Sequence, residues 1–190
     1  LIATLIKRWP AGSLLLMEAR PDLFFRTREF DGAPELADFD LIVLDGQQRL
    51  TGLYQAIFDT GDYVYAVRAK HLTQGMSVDE LEDAMQSFRR SDWDSTYRRE
   101  PWSSFEDGWI PLYALRSSAD YFAWRDATIK EARLTTPLKD RLSVRLAEVY
   151  RHSLEAFHQY DFPAVILERS VEPAAVARIF ERVNTTGIPL

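Results

Sequence analysis

Asp45-Gly46-Gln47-Gln48-Arg49 places a carboxylate, a glycine, two amides and a guanidinium on consecutive positions. Together the amides and the guanidinium supply many hydrogen-bond donors and two carbonyl acceptors, more than capping a helix requires. Such a set suits an anion, phosphate in particular. An arginine in the first turn of a helix also works against the helix dipole unless an anion offsets it. The plainer alternative is a strand–turn–helix junction whose polar residues only cap the helix, and on residue types alone both readings stand.

Two elements must position these residues. Leu41-Ile42-Val43-Leu44 reads as a buried central strand that stops at Asp45-Gly46, a dipeptide suited to a tight turn. Leu50, Leu53, Tyr54, Ile57 and Phe58 then recur at helical spacing, predicting a helix from about Gln47 to Asp59, closed by Thr60-Gly61-Asp62. The motif therefore falls on the first helical turn, where backbone N–H groups lack partners and the dipole is positive.

At 190 residues the chain can bury a real core, and 46% hydrophobic with 13% aromatic residues is ordinary for a globular domain. A net charge of −6 argues against nonspecific capture of duplex DNA, though not against a local basic cleft. Without cysteine there is no disulfide, thiolate metal site or thiol nucleophile. His71, His152 and His158 follow no ligand spacing, and the last two read as solvated helix positions. No apolar run approaches a membrane span and no signal peptide is visible, so a cytoplasmic location is expected. Opening without Met inside an amphipathic pattern and closing at Gly187-Ile188-Pro189-Leu190, the chain reads as an excised piece.

Elsewhere, a helix is expected up to Pro10, a strand over 13–18 and a loop over 19–38. A second strand, Tyr63–Arg68, should pair beside the central one. Ser77 starts a helix through Phe88. Trp93, Tyr97, Trp102 and Trp109 alternate with Arg89, Arg90, Arg98 and Arg99, which suits either a grip on a nucleic-acid strand or rings pinning an insertion to the body. The neighbouring acidic residues favour the second. Two helices follow, broken at Thr135-Thr136-Pro137, then a buried strand at 162–167 that Pro163 limits to an edge or a start. A last helix from Glu172-Pro173 ends at Asn184-Thr185-Thr186-Gly187, where Asn184 is either a C-terminal cap or an amide aimed into a pocket.

Two stretches together resemble a known family. Val43 to Thr51 is similar to the signature of the N-terminal domain of GmrSD-type restriction proteins, and 179–190 to its second motif, with Phe180, Asn184, Gly187 and Leu190 at the family's spacings. The resemblance implies an α+β fold like that of ParB and sulfiredoxin: a small mixed sheet with packed helices and a helical extension. It implies one domain over 1–190, with an irregular insertion at about 70–108 and a helical part at about 117–159.

By the same resemblance, a nucleoside triphosphate of unspecified base (GTP-, UTP- or CTP-type), with Mg²⁺, would bind at the helix after the signature strand and be hydrolysed. Gly46, Gln47, Gln48 and Arg49 would meet the phosphates and Asn184 would line the opposite wall. Asp45, Gln48 and Arg49 are the implied catalytic residues. Arg49 would stabilise charge on the transferred phosphoryl group, while Asp45 would orient water, hold Mg²⁺ or brace Arg49. In relatives such a domain powers or gates an HNH-type nuclease domain that attacks modified foreign DNA. The implied partners are that domain, DNA through the full-length protein, and a second copy. Relatives also carry an upstream Gln-Arg and aromatic-Trp segment, and no nuclease motif lies within these residues. A non-enzymatic DNA-recognition module and a scaffold that only assembles with a partner are the competing classes.

Overall fold

A computed structural model describes residues 1–19, 27–35, 38–72, 77–97 and 100–185. In chain order the first elements are α1 (Ile2–Ile6), β1 (Leu14–Glu18), β2 (Leu41–Asp45), α2 (Gln47–Phe58) and β3 (Tyr63–Arg68). Next come α3 (Val78–Asp83), β4 (Met85–Arg89), α4 (Arg90–Thr96), α5 (Pro101–Glu106) and β5 (Trp109–Pro111). The last are α6 (Ser118–Glu131), α7 (Thr136–Val149), α8 (Glu155–His158), β6 (Ala164–Leu167) and α9 (Pro173–Thr185). The fold is α+β, with two three-stranded sheets among the described residues. The chain divides into two compact units, one of residues 1–11 and 52–160, the other of 12–51 and 161–190.

The smaller unit holds a mixed sheet in the order β2-β1-β6. β1 runs antiparallel to β2, pairing Leu16 with Val43 and Glu18 with Leu41, and parallel to β6, pairing Leu15 with Val165. Its central place follows from its residues: Leu14, Leu15 and Met17 are buried. The strand expected at the centre, β2, is instead an edge and only half-buried. β6 lies at the other edge, as Pro163 predicts, but it is exposed rather than buried, with Val165 and Ile166 both more than half accessible.

In the larger unit the sheet order is β4-β3-β5, antiparallel throughout. β3 therefore belongs to this second sheet and does not pair beside β2. Both faces of β3 are covered, which is why it reads as a β-branched and aromatic run. Val64 and Ala66 pack with Trp93 and Trp109, while Val67 joins Leu81, Ile110, Leu115, Tyr121 and Leu154 in the main core.

Local signals set several boundaries. Ser77 and Glu80 form a reciprocal capping box at the start of α3, with Ser77 N–H donating to Glu80 Oε2 at 2.8 Å. That helix stops at Asp83, however, and 85–89 form β4 rather than a further turn, so the described residues of about 70–108 include regular helices and strands. Pro137 sits in the first turn of α7. Over 150–154 the chain widens into a π-helical turn before α8. The end of α2 is closed by Asp59 in the left-handed conformation (φ 57°), two residues before the glycine predicted for that role, and Thr60 N–H returns to the Gln55 carbonyl at 3.1 Å. Arg90 holds this corner, donating to Asp59 Oδ1 at 2.8 Å and to the Gly61 carbonyl at 2.7 Å.

Candidate functional site

β2 runs out at Asp45, and Gly46 turns the chain into α2 with φ +97°. Only glycine suits this position on two grounds. The backbone is left-handed, and a Cβ here would overlap Cδ2 of Leu14 on the neighbouring strand. The Leu50 N–H makes a helical bond back to the Gly46 carbonyl at 3.0 Å. Ahead of it, the N–H groups of the first turn have no carbonyl of their own helix to reach, and glycine at the cap has no side chain to offer them. No acidic residue lies in that turn, so the positive end of the helix is not neutralised from within it.

The Arg49 side chain folds back beside this cap. Its Nη2 donates to the Ser13 carbonyl at 2.8 Å and to Asp45 Oδ2 at 3.3 Å. Both members of the ion pair are about a third accessible, 29% and 32%, so solvent reaches them and so could a ligand. Asp45 and Arg49 thus meet across one turn of chain. Gln47 turns its amide away, Nε2 donating to the Val43 carbonyl at 2.8 Å, while Gln48 stands exposed next to it.

Asp45, Gly46, Gln47, Gln48 and Arg49 are thus brought to one helix start. Asn184 falls within α9, but its side chain lies outside the described residues, as do Gly187 and Leu190 of the second motif. Two contributors were not foreseen. Ser13 supplies a carbonyl from 36 residues upstream, and Gly12 (φ +80°) lies so close that a Cβ there would overlap Arg49 Nη1. A glycine immediately ahead of an apolar strand was the available signal.

Among the described residues no group of three or more His, Asp or Glu side chains is arranged to hold a metal ion. A single carboxylate remains compatible with Mg²⁺, which keeps much of its water shell and binds through one or two carboxylates plus substrate phosphates. His158 is not solvated as expected. It is partly buried, with Nδ1 3.0 Å from the Tyr150 hydroxyl and Nε2 2.7 Å from the Leu115 carbonyl, whereas His152 is exposed. The aromatic–arginine stretch resolves toward its structural alternative. Trp93, Trp102 and Trp109 are 1%, 9% and 5% accessible, which leaves no ring surface for stacking bases. Arg98 and Arg99 lie outside the described residues. No helix among those described is long and apolar enough to cross a membrane.

A family model described as the GmrSD restriction endonuclease N-terminal domain matches residues 1–190. Comparison with curated proteins finds no match.

Proposed function

The chain belongs to the GmrSD restriction endonuclease N-terminal domain family, and on that premise we propose that it binds and hydrolyses a nucleoside triphosphate at the start of α2. One observation carries the reading: the Arg49 guanidinium is held beside a glycine-capped helix N-terminus by Asp45 and the Ser13 carbonyl. Backbone N–H groups of residues 46–49 and the exposed Gln48 amide would hold the phosphates, and Gln47 would join them by leaving the Val43 carbonyl. Arg49 would stabilise charge on the transferred phosphoryl group, with Asp45 fixing its orientation. Asn184 would close the opposite wall. Asp45 is also the carboxylate in place to meet a nucleotide-borne Mg²⁺, which when bound neutralises phosphate charge.

The mixed sheet followed by its phosphate-facing helix supports a ParB- and sulfiredoxin-like assignment. In this reading turnover gates an HNH-type nuclease domain acting on modified DNA in the full-length protein, within the cell and in a homo-oligomeric assembly.

A thermal-shift panel of GTP, UTP, CTP and ATP with Mg²⁺, on wild type and Arg49→Ala, tests the proposal. A stabilisation of a few degrees by one nucleotide, lost in a variant that still melts cooperatively, is the expected result. No shift with any of the four, or an equal shift in the variant, overturns it.

A further inference from the structure

We propose that Gly12 is a positioning residue of the phosphate site, its bare α-carbon forming the seat on which the Arg49 guanidinium rests. The inference rests on the nucleotide reading of that site and names a residue outside its motif.

Gly12 lies in the connector entering β1, exposed and with φ +80°. A Cβ built there falls well inside 3.0 Å of Nη1, and 3.3 Å from Cζ, of Arg49. From the other side Gly46 presents its own bare α-carbon, where a Cβ would lie 3.3 Å from Nη2 and 3.7 Å from Cζ. Two glycines in left-handed backbone therefore face opposite terminal nitrogens of one guanidinium. The carbonyl after the first glycine, Ser13, and the carboxylate before the second, Asp45, both accept from Nη2.

This arrangement does for a long side chain what a rigid element does for a short one. Arginine loses much rotamer freedom when it binds an anion, and a seat that already confines it removes part of that cost. No core contact requires Gly12 to be small, because it is exposed. The three nearest atoms a side chain would meet there all belong to Arg49. Any effect of Gly12→Ala on phosphate affinity should therefore depend on whether Arg49 is present, whereas backbone strain from the positive φ would not.

The test is a four-member cycle of wild type, Gly12→Ala, Arg49→Lys (which keeps a cation for the phosphates but lacks the guanidinium atoms that meet Gly12) and the double variant, titrated calorimetrically with sodium tripolyphosphate and with Mg²⁺ complexes of the four nucleotides. Far-UV dichroism and melting are recorded for each. Gly12→Ala should weaken binding about tenfold or more in the wild type, and change it less than about twofold once lysine replaces the guanidinium. Equal weakening in both backgrounds, or none in either, overturns the inference while leaving the nucleotide reading intact. A wild type that binds neither probe overturns that reading and the role of Gly12 with it. If Gly12→Ala does not fold, recovery of folding in the double variant supports the seat, and a double variant that stays unfolded refutes it.

Discussion

Gly46→Ala should destabilise the protein by about 2–5 kcal/mol, and the sum has two separable parts. Placing a Cβ on a left-handed residue costs about 1–2 kcal/mol wherever it occurs. The rest, about 1–3 kcal/mol, comes from forcing that Cβ into Cδ2 of Leu14, which is buried on β1 and cannot swing into solvent. Leu14→Val removes the obstructing atom while keeping a residue that suits a strand, at a cost of about 1 kcal/mol. In that background Gly46→Ala should therefore lose only the backbone part. Urea unfolding followed by far-UV dichroism gives the four free energies, and a coupling of about 1–3 kcal/mol stands clear of ordinary additivity error. Strict additivity within about 0.5 kcal/mol, or a single variant costing less than about 1 kcal/mol, would refute the claim that close approach to β1 dictates a glycine at the cap.

Two further outcomes follow from the larger unit. Trp93 is almost fully buried against Phe88 (ring centroids 5.2 Å apart) and Tyr97 (4.7 Å), so Trp93→Ala should cost about 3–5 kcal/mol by chemical denaturation. Its indole N–H has no hydrogen-bond partner among the described residues, so Trp93→Phe should cost clearly less; equal losses would mean a missed polar contact. Hydrogen bonds first from Arg116 and then from Ser117 pull the Asp120 carboxyl down from its ordinary 3.8 to about 2. Because the folded-state value is the lower one, this interaction stabilises above about pH 4 and is lost as pH falls toward 2. Asp120→Asn should accordingly melt below wild type at pH 7, with the gap closing between pH 4 and pH 2; a gap independent of pH would contradict the assignment.

What was legible in the sequence was local. The helix after Asp45-Gly46 begins where its apolar spacing places it, Ser77 and Glu80 cap each other, and Pro137 opens α7. Each of these is decided within a turn or two of chain. Partnership between strands is not, since an apolar run looks alike at the centre of a sheet and at its edge. Hence β1 and not β2 took the centre of its sheet, and β3 went to a different sheet. Met85–Arg89 continued a helical spacing in sequence, yet pairing with β3 outweighed local propensity. The candidate site divides in the same way: the contiguous motif was readable, whereas Gly12 and Ser13 matter only because β1 brings them alongside β2.

The pairing of β1 with one neighbour close in sequence and another remote from it has a consequence for the order of assembly as the chain is synthesised. The contacts gathering Gly12, Ser13, Asp45, Gly46 and Arg49 are complete once the first turn of α2 has emerged, because β1 and β2 need only each other to align them. The parallel partner β6 is translated after the whole larger unit. The corner at the start of α2 can thus form early as an antiparallel pair, and the late arrival of Ala164–Leu167 acts as a closing stitch on a sheet already begun.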